Sequence, residues 1–234
     1  MLHIIPTENV LFLDIETVPQ HDDFQTLTDV EKKLWEHKTQ SQRLTKDEET
    51  PADVYNKAAI YAEFGRIVCI SVGCILNENG KRKWWIKSFV DDNETALLQG
   101  FASTVNQFYK SKQRAWMCGH NSKEFDFPYI ARRMLVNGVS LPAALQVFGQ
   151  KPWETTFLDT MELWKFGDYK HFTSLALLAH IFAIPTPKDD IDGSMVADVY
   201  YKEKDLPRIV HYCEKDVLTV ARLFLKFKGE SGLE

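Results

Sequence analysis

Four apolar residues, Val10–Leu13, run without a break into Asp14-Ile15-Glu16. A run that short and apolar, closed by charge, reads as a buried strand with two carboxylates at its exit. Residues two apart on a strand share a face, so Asp14 and Glu16 point the same way. Arg66–Leu76 (RIVCISVGCIL) is a second, β-branched strand. Asn79-Gly80 is a hairpin turn signal, and Lys83–Val90 makes the return strand. Asp91 or Asp92 caps a helix running to Lys110, and Arg114–Cys118 is a short strand. Pro128 falls in the first turn of the next helix, where a missing N–H is harmless, and Gly138 closes it. A strand around Thr156–Leu158 and a helix through Ser174–Phe182 follow. Asp205-Leu206-Pro207 opens a last amphipathic helix to Lys228, with Gly229 as its stop. Three strands in meander, then alternating helices and strands, predict an α/β fold: a mixed central β-sheet flanked by α-helices.

The 234 residues, 44% hydrophobic and 26% charged, suffice for one domain over 1–234 that needs no disulfide or metal staple. Residues 21–60 differ in character, rich in Glu, Lys, Gln, Asp and Thr, and read as a charged, partly helical surface insertion. No window approaches 18 consecutive apolar residues, which excludes a transmembrane helix. The N-terminus has neither a basic region nor a small-residue cleavage site, so a cytoplasmic protein is expected. Cys69, Cys74, Cys118 and Cys213 form no CxxC pair and read as small buried hydrophobes in a reducing compartment. A net charge of −5 argues against a protein that coats long nucleic acid. It does not exclude an enzyme gripping one strand end with the help of its own metal ions.

Asp126 stands at a loop-to-helix junction, where free N–H groups favour a carboxylate. Tyr212 and Asp216, four apart on a helix, share a face. Singly, each acid has a plain reading: a cap, a solvated helix residue, a strand-end turn. Together they lie beside apolar segments without a recurring Arg or Lys partner. Several carboxylates converging without enough cations suit a hard divalent ion, Mg²⁺ or Mn²⁺. Two such ions about 3.5–4 Å apart activate water and stabilise the leaving oxygen in phosphodiester hydrolysis.

The stretches FLDIET, HNSKEFDFPYI and YCEKD resemble, in order and spacing, the three motifs of the DEDD 3′–5′ exonucleases. The likeness is closest to the proofreading exonuclease domain of family-B DNA polymerases and the stand-alone bacterial enzymes related to it. It spans residues 10–228 and implies a ribonuclease-H-like fold. It also implies that Asp14, Glu16, Asp126 and Asp216 bind two divalent cations, Mg²⁺ or Mn²⁺, with Asp14 bridging both. Tyr212 would orient the attacking water, and Thr17, Asn121 and Phe125 would approach the terminal nucleotide. The substrate implied is nucleic acid with a 3′ end, more readily single-stranded DNA than RNA. Only 18 residues follow Asp216, so a proofreading role would call for a separate polymerase or repair partner.

His211 sits five residues before Asp216, where the sister DEDDh group keeps a histidine; Tyr212 matches the DEDDy group. On a helix i−4 returns to the face of Asp216, whereas i−5 is turned about 140° away. Tyr212 is therefore preferred. Asp159 reads as a helix cap, and Asp189, Asp190 and Asp192 as turn chemistry. Arg132-Arg133 and Lys81-Arg82-Lys83 read as solvated faces, His120 as a substrate neighbour or a partner for a loop carbonyl, and Trp84-Trp85 as one ring in and one ring out. The rivals are an exoribonuclease of the same fold and a non-catalytic binding module. The intact carboxylate set argues against the second.

Overall fold

The computed structural model describes residues 2–43, 49–168, 172–185, 191–230 and 233. Five strands form one sheet: β1 (Val10–Pro19), β2 (Gly65–Glu78), β3 (Lys81–Phe89), β4 (Trp116–Gly119) and β5 (Phe157–Asp159). The helices are α1 (Asp29–Arg43), α2 (Glu94–Lys110), α3 (Asp126–Val136), α4 (Thr160–Lys165), α5 (Leu175–Ile181), α6 (Val196–Asp198) and α7 (Leu206–Lys228). A π-helical turn, Val199–Glu203, continues α6. The strand order is β3-β2-β1-β4-β5, antiparallel across β3, β2 and β1 and parallel from β1 to β4 to β5. Asn79 and Gly80 both take positive φ, 54° and 78°, as a two-residue hairpin turn demands. The cap of α2 is Asn93, one residue past Asp91 and Asp92; its side chain accepts the Thr95 N–H, while Asp91 accepts the Asn93 N–H.

Alternation along β1 sorts the core into two layers. Leu11, Leu13 and Ile15 pack with Phe101, Phe127 and Ile130 beneath α2 and α3. Val10 and Phe12 pack with Val217, Val220 and Phe224 of α7 on the other side. Asp14 and Glu16 continue the second set, so they come up toward α7. Trp84 lies over Gly73, where a Cβ would stand 2.3 Å from the ring, and 6.2 Å from Phe12. Trp85 packs against the α2 layer instead. Both rings are half-buried, each under its own helix layer, because both faces of the sheet are covered here.

The described residues of 21–60 are better anchored than their composition suggests. Aromatic rings replace the missing aliphatics. Trp35 of α1 is fully buried, packs edge-on against Tyr55 and Phe64, and donates its indole N–H to the Pro51 carbonyl at 2.8 Å. Tyr129 of α3 donates to the Ala59 carbonyl at 2.8 Å. The Arg132-Arg133 pair departs from the expected solvated face. Arg133 is 5% exposed, and its guanidinium donates to Glu94 and to the Ala62 carbonyl. Glu94 in turn accepts the Ile67 N–H at 2.8 Å, so one buried ion pair ties α2, α3 and β2 together. Arg82 and Lys83 pair with Glu230 and Glu78. Among the described residues no helix is long and apolar enough to cross a membrane.

Candidate active site

β4 pairs with β1 only as far as Phe12, so the Ile15 N–H has no strand partner on that side. Asp126, the first residue of α3 and 3% exposed, fills the gap: its Oδ1 accepts the Ile15 N–H at 3.1 Å. The helix that follows the break in the sheet thus sets its carboxylate beside Asp14 and Glu16. From the other side α7 brings Cys213 and Asp216. Ligand atoms of Asp14, Glu16 and Cys213 lie within 4.8 Å of one another, and the Cys213 thiol donates to the Asp14 carbonyl at 3.4 Å.

The electrostatics follow from that crowding. Burial first, then the Asp126, Glu16 and Asp216 charges, hold the Asp14 carboxyl well above the usual range. Glu16 is raised by burial and then chiefly by Asp216. Burial pushes Asp126 up to about 7, against hydrogen bonds that favour its ionised form. Asp216 rises to about 6 through burial, held back by a hydrogen bond from the Tyr212 hydroxyl and by Lys215. Burial and the Asp216, Glu16 and Asp14 charges drive the Tyr212 hydroxyl far above its ordinary value. His211 is exposed on the neighbouring face. Among the described residues no cationic side chain forms an ion pair with Asp14, Glu16 or Asp126. The carboxylate oxygens of Asp14, Glu16 and Asp126, with no ion-pair partner among the described residues, suit a hard divalent cation, and the Cys213 thiol beside them is occupied with the Asp14 carbonyl.

The loop before α3 is held as firmly as the acids. Gly119 ends β4 where a Cβ would fall 1.8 Å from the Ser122 hydroxyl oxygen. Asn121 takes φ 61°, and its carbonyl accepts the Phe125 N–H at 3.1 Å. Asp159 caps α4 through the Met161 N–H, as expected, but also accepts the N–H groups of Asn121 and Lys123, each at 3.0 Å. Local spacing shows the cap; the second role depends on β5 lying beside β4. His120 contacts the Thr160 hydroxyl and the Thr173 carbonyl, both at 2.9 Å, and burial lowers its pKa. The neutral ring serves the carbonyl and ties residue 173 to this loop. The Oδ1 of Asn121 is buried without a partner. Phe125 is half-buried, its ring 5.3 Å from Tyr129. Thr17 follows a register shift in β1 and lies beside the Tyr129 hydroxyl. Asp192 accepts the Ser194 N–H in a turn; Asp189 and Asp190 lie outside the described residues.

The fold is that of a family-B polymerase exonuclease domain, ribonuclease-H-like. The chain superposes on the family B DNA polymerase from the hyperthermophilic archaeon Pyrobaculum calidifontis with a TM-score of 0.58 at 18% identity, covering 94% of this chain. It spans 24% of that polymerase's length. No curated protein matches the sequence. Residues 60–233 match the model of a family described as predicted 3′–5′ exonucleases related to the exonuclease domain of PolB. That match takes in α3, α7 and most of the sheet, and the chain belongs to this family of exonucleases.

Proposed function

We propose that the chain removes nucleoside monophosphates from the 3′ end of single-stranded DNA, using two divalent cations held by Asp14, Glu16, Asp126 and Asp216. The observation that carries this reading is that Asp14 and Glu16, side by side on β1, feel the charges of Asp126 and Asp216 while no described ion pair offsets Asp14, Glu16 or Asp126. Two cations, when bound there, would supply Lewis acidity to the scissile phosphodiester. The protein's own groups do the rest. Asp14, from the sheet, feels the charges of both Asp126 of α3 and Asp216 of α7 and would help hold the ions together with them. Tyr212, whose hydroxyl stays protonated at neutral pH and donates its one proton to Asp216, orients the water by accepting a hydrogen bond from it; it does not remove the water's proton. The Asn121 amide and the Phe125 ring receive the terminal nucleotide, with Thr17 behind them. The exonuclease unit extends over residues 1–234, with Ala59, near the end of the 21–60 insertion, bonded to Tyr129 of α3.

The test is 5′-labelled single-stranded DNA with Mg²⁺, with Mn²⁺ and with chelator, on the wild type and on Asp216→Ala. A metal-dependent ladder shortening from the 3′ end, absent in the variant, is the expected result. An untouched DNA band beside a degraded RNA oligomer would replace DNA by RNA as substrate. Silence on both would overturn the enzymatic reading.

A further inference from the structure

Between α3 and the segment 145–165 lies a cavity of about 430 Å³, within the ~300–1,000 Å³ of small-ligand sites. Its wall begins at Asn121 and Lys123, on the loop that leads into Asp126, and ends at Gln150, Pro152 and Lys165. The buried, unpartnered Oδ1 belongs to that same Asn121. Three rings each follow a lining residue in the chain, Phe148 after Val147, Trp153 after Pro152 and Phe166 after Lys165, and they are 75%, 76% and 92% exposed; Phe172 is 68% exposed. Lys151 stands 5.3 Å over the Trp153 ring. Phe166 ends α4 with φ 45°, a left-handed conformation that a bulky residue adopts only under strain and that glycine takes freely. Phe172 adjoins Thr173, whose carbonyl anchors His120 beside Asn121.

We propose that this aromatic rim and cavity form a track for the unpaired strand upstream of its 3′ end, with bases stacking on Trp153, Phe166 and Phe148. The inference rests on the exonuclease reading and names the part of the substrate that the carboxylates do not touch. Flat exposed rings suit single-stranded nucleic acid because every base presents a π-face; the wall holds Glu124, Asp159 and Glu162 against Lys123 and Lys165, so stacking rather than charge carries the strand. The cavity continues from the loop that carries Asn121, so a strand whose terminal phosphodiester reaches Asp126 passes its mouth. Lys123 pairs with Glu162 at that mouth, which offsets the acid there. A duplex, its bases already stacked on one another, offers these rings nothing.

The test measures binding apart from chemistry. Anisotropy of labelled oligo(dT), in chelator so that nothing is cut, is recorded for a dinucleotide and for an oligomer of about ten nucleotides. Trp153→Ala is expected to weaken the longer ligand about 10-fold and the dinucleotide far less. Phe166→Gly is expected to weaken it too while raising Tm, since glycine relieves the backbone; a merely structural role would move both the other way. Equal losses at both lengths, no loss at either, or equal affinity for duplex would overturn the track. If the wild type binds with this length dependence yet cuts neither DNA nor RNA with Mn²⁺, the exonuclease reading fails and the track stands. If it cuts while Trp153→Ala binds normally, the track alone fails.

Discussion

At the scale of single residues, Tyr212 and His211 separate two chemistries that adjacent positions in one string leave open. Tyr212 hydrogen-bonds Asp216 and feels three carboxylates; His211 is exposed. Tyr212→Phe is expected to lower kcat about 10-fold or more with little change in Tm, and His211→Ala to leave both near wild type. The reverse pattern on a 3′-labelled oligonucleotide would reassign the water-orienting role. Asp14→Asn carries a double expectation: turnover disappears, and the metal-free protein gains about 1 kcal/mol or more in urea unfolding, because one of four crowded charges is gone. The acids themselves were legible because strand and helix periods put them on named faces. The Cys213 thiol within 4.8 Å of Asp14 and Glu16 was not, since nothing local says how deeply α7 seats on the sheet.

Elements decide whether those residues meet. β4 stops at Gly119, and that early stop frees the Ile15 N–H for Asp126. Gly119→Ala would drive a methyl into Ser122, leaving the turn from Asn121 to Asp126 to give way. The expected outcome is lost activity and weakened Mn²⁺-induced stabilisation, with β-sheet content retained by circular dichroism. A fully active Gly119→Ala protein would show that the turn tolerates displacement. Arg133→Ala tests the opposite kind of element contact. It strands Glu94 in the core and is expected to cost about 3–5 kcal/mol by denaturant unfolding. That pair was illegible as such: two adjacent arginines on a helix look like surface, and only the docking of α3 against α2 turns the second inward. Residues 21–60 were read from their polar majority. The few aromatic rings, Trp35, Tyr55 and Phe64, decide the packing, because each buries far more surface than an aliphatic. The mixed sheet between helix layers, by contrast, followed from the meander and the alternation that comes after it, whereas the order of its strands did not.

For the whole molecule the carboxylate set couples stability to pH and to divalent ions. Asp126 at about 7 and Asp216 at about 6 retain protons in the folded state that an ordinary aspartate, at 3.8, releases in the unfolded chain. Between those limits the native state binds more protons, so stability falls as pH rises. Each retained proton contributes a slope of about 1.4 kcal/mol per pH unit. The contribution is fully present below the unfolded value and lost once pH has passed through about 6 and then about 7. In chelator, Tm is therefore expected to drop between pH 5 and pH 8, opposite to a protein whose carboxylates are salt-bridged. A divalent ion reverses the sign of the problem, since it binds the ionised native form and competes with those protons. Saturating Mn²⁺ at 100 times its Kd adds about 2.7 kcal/mol, and the gain is expected to be larger at pH 8 than at pH 5. A chain of net charge −5 has no surplus of cations to substitute for the ion, and monovalent salt screens a buried cluster poorly. Sodium chloride at matched ionic strength should leave the pH 8 deficit in place. A Tm independent of pH in chelator, or restored equally by sodium and manganese, would show that these carboxylates carry compensation of their own and do not await a divalent ion.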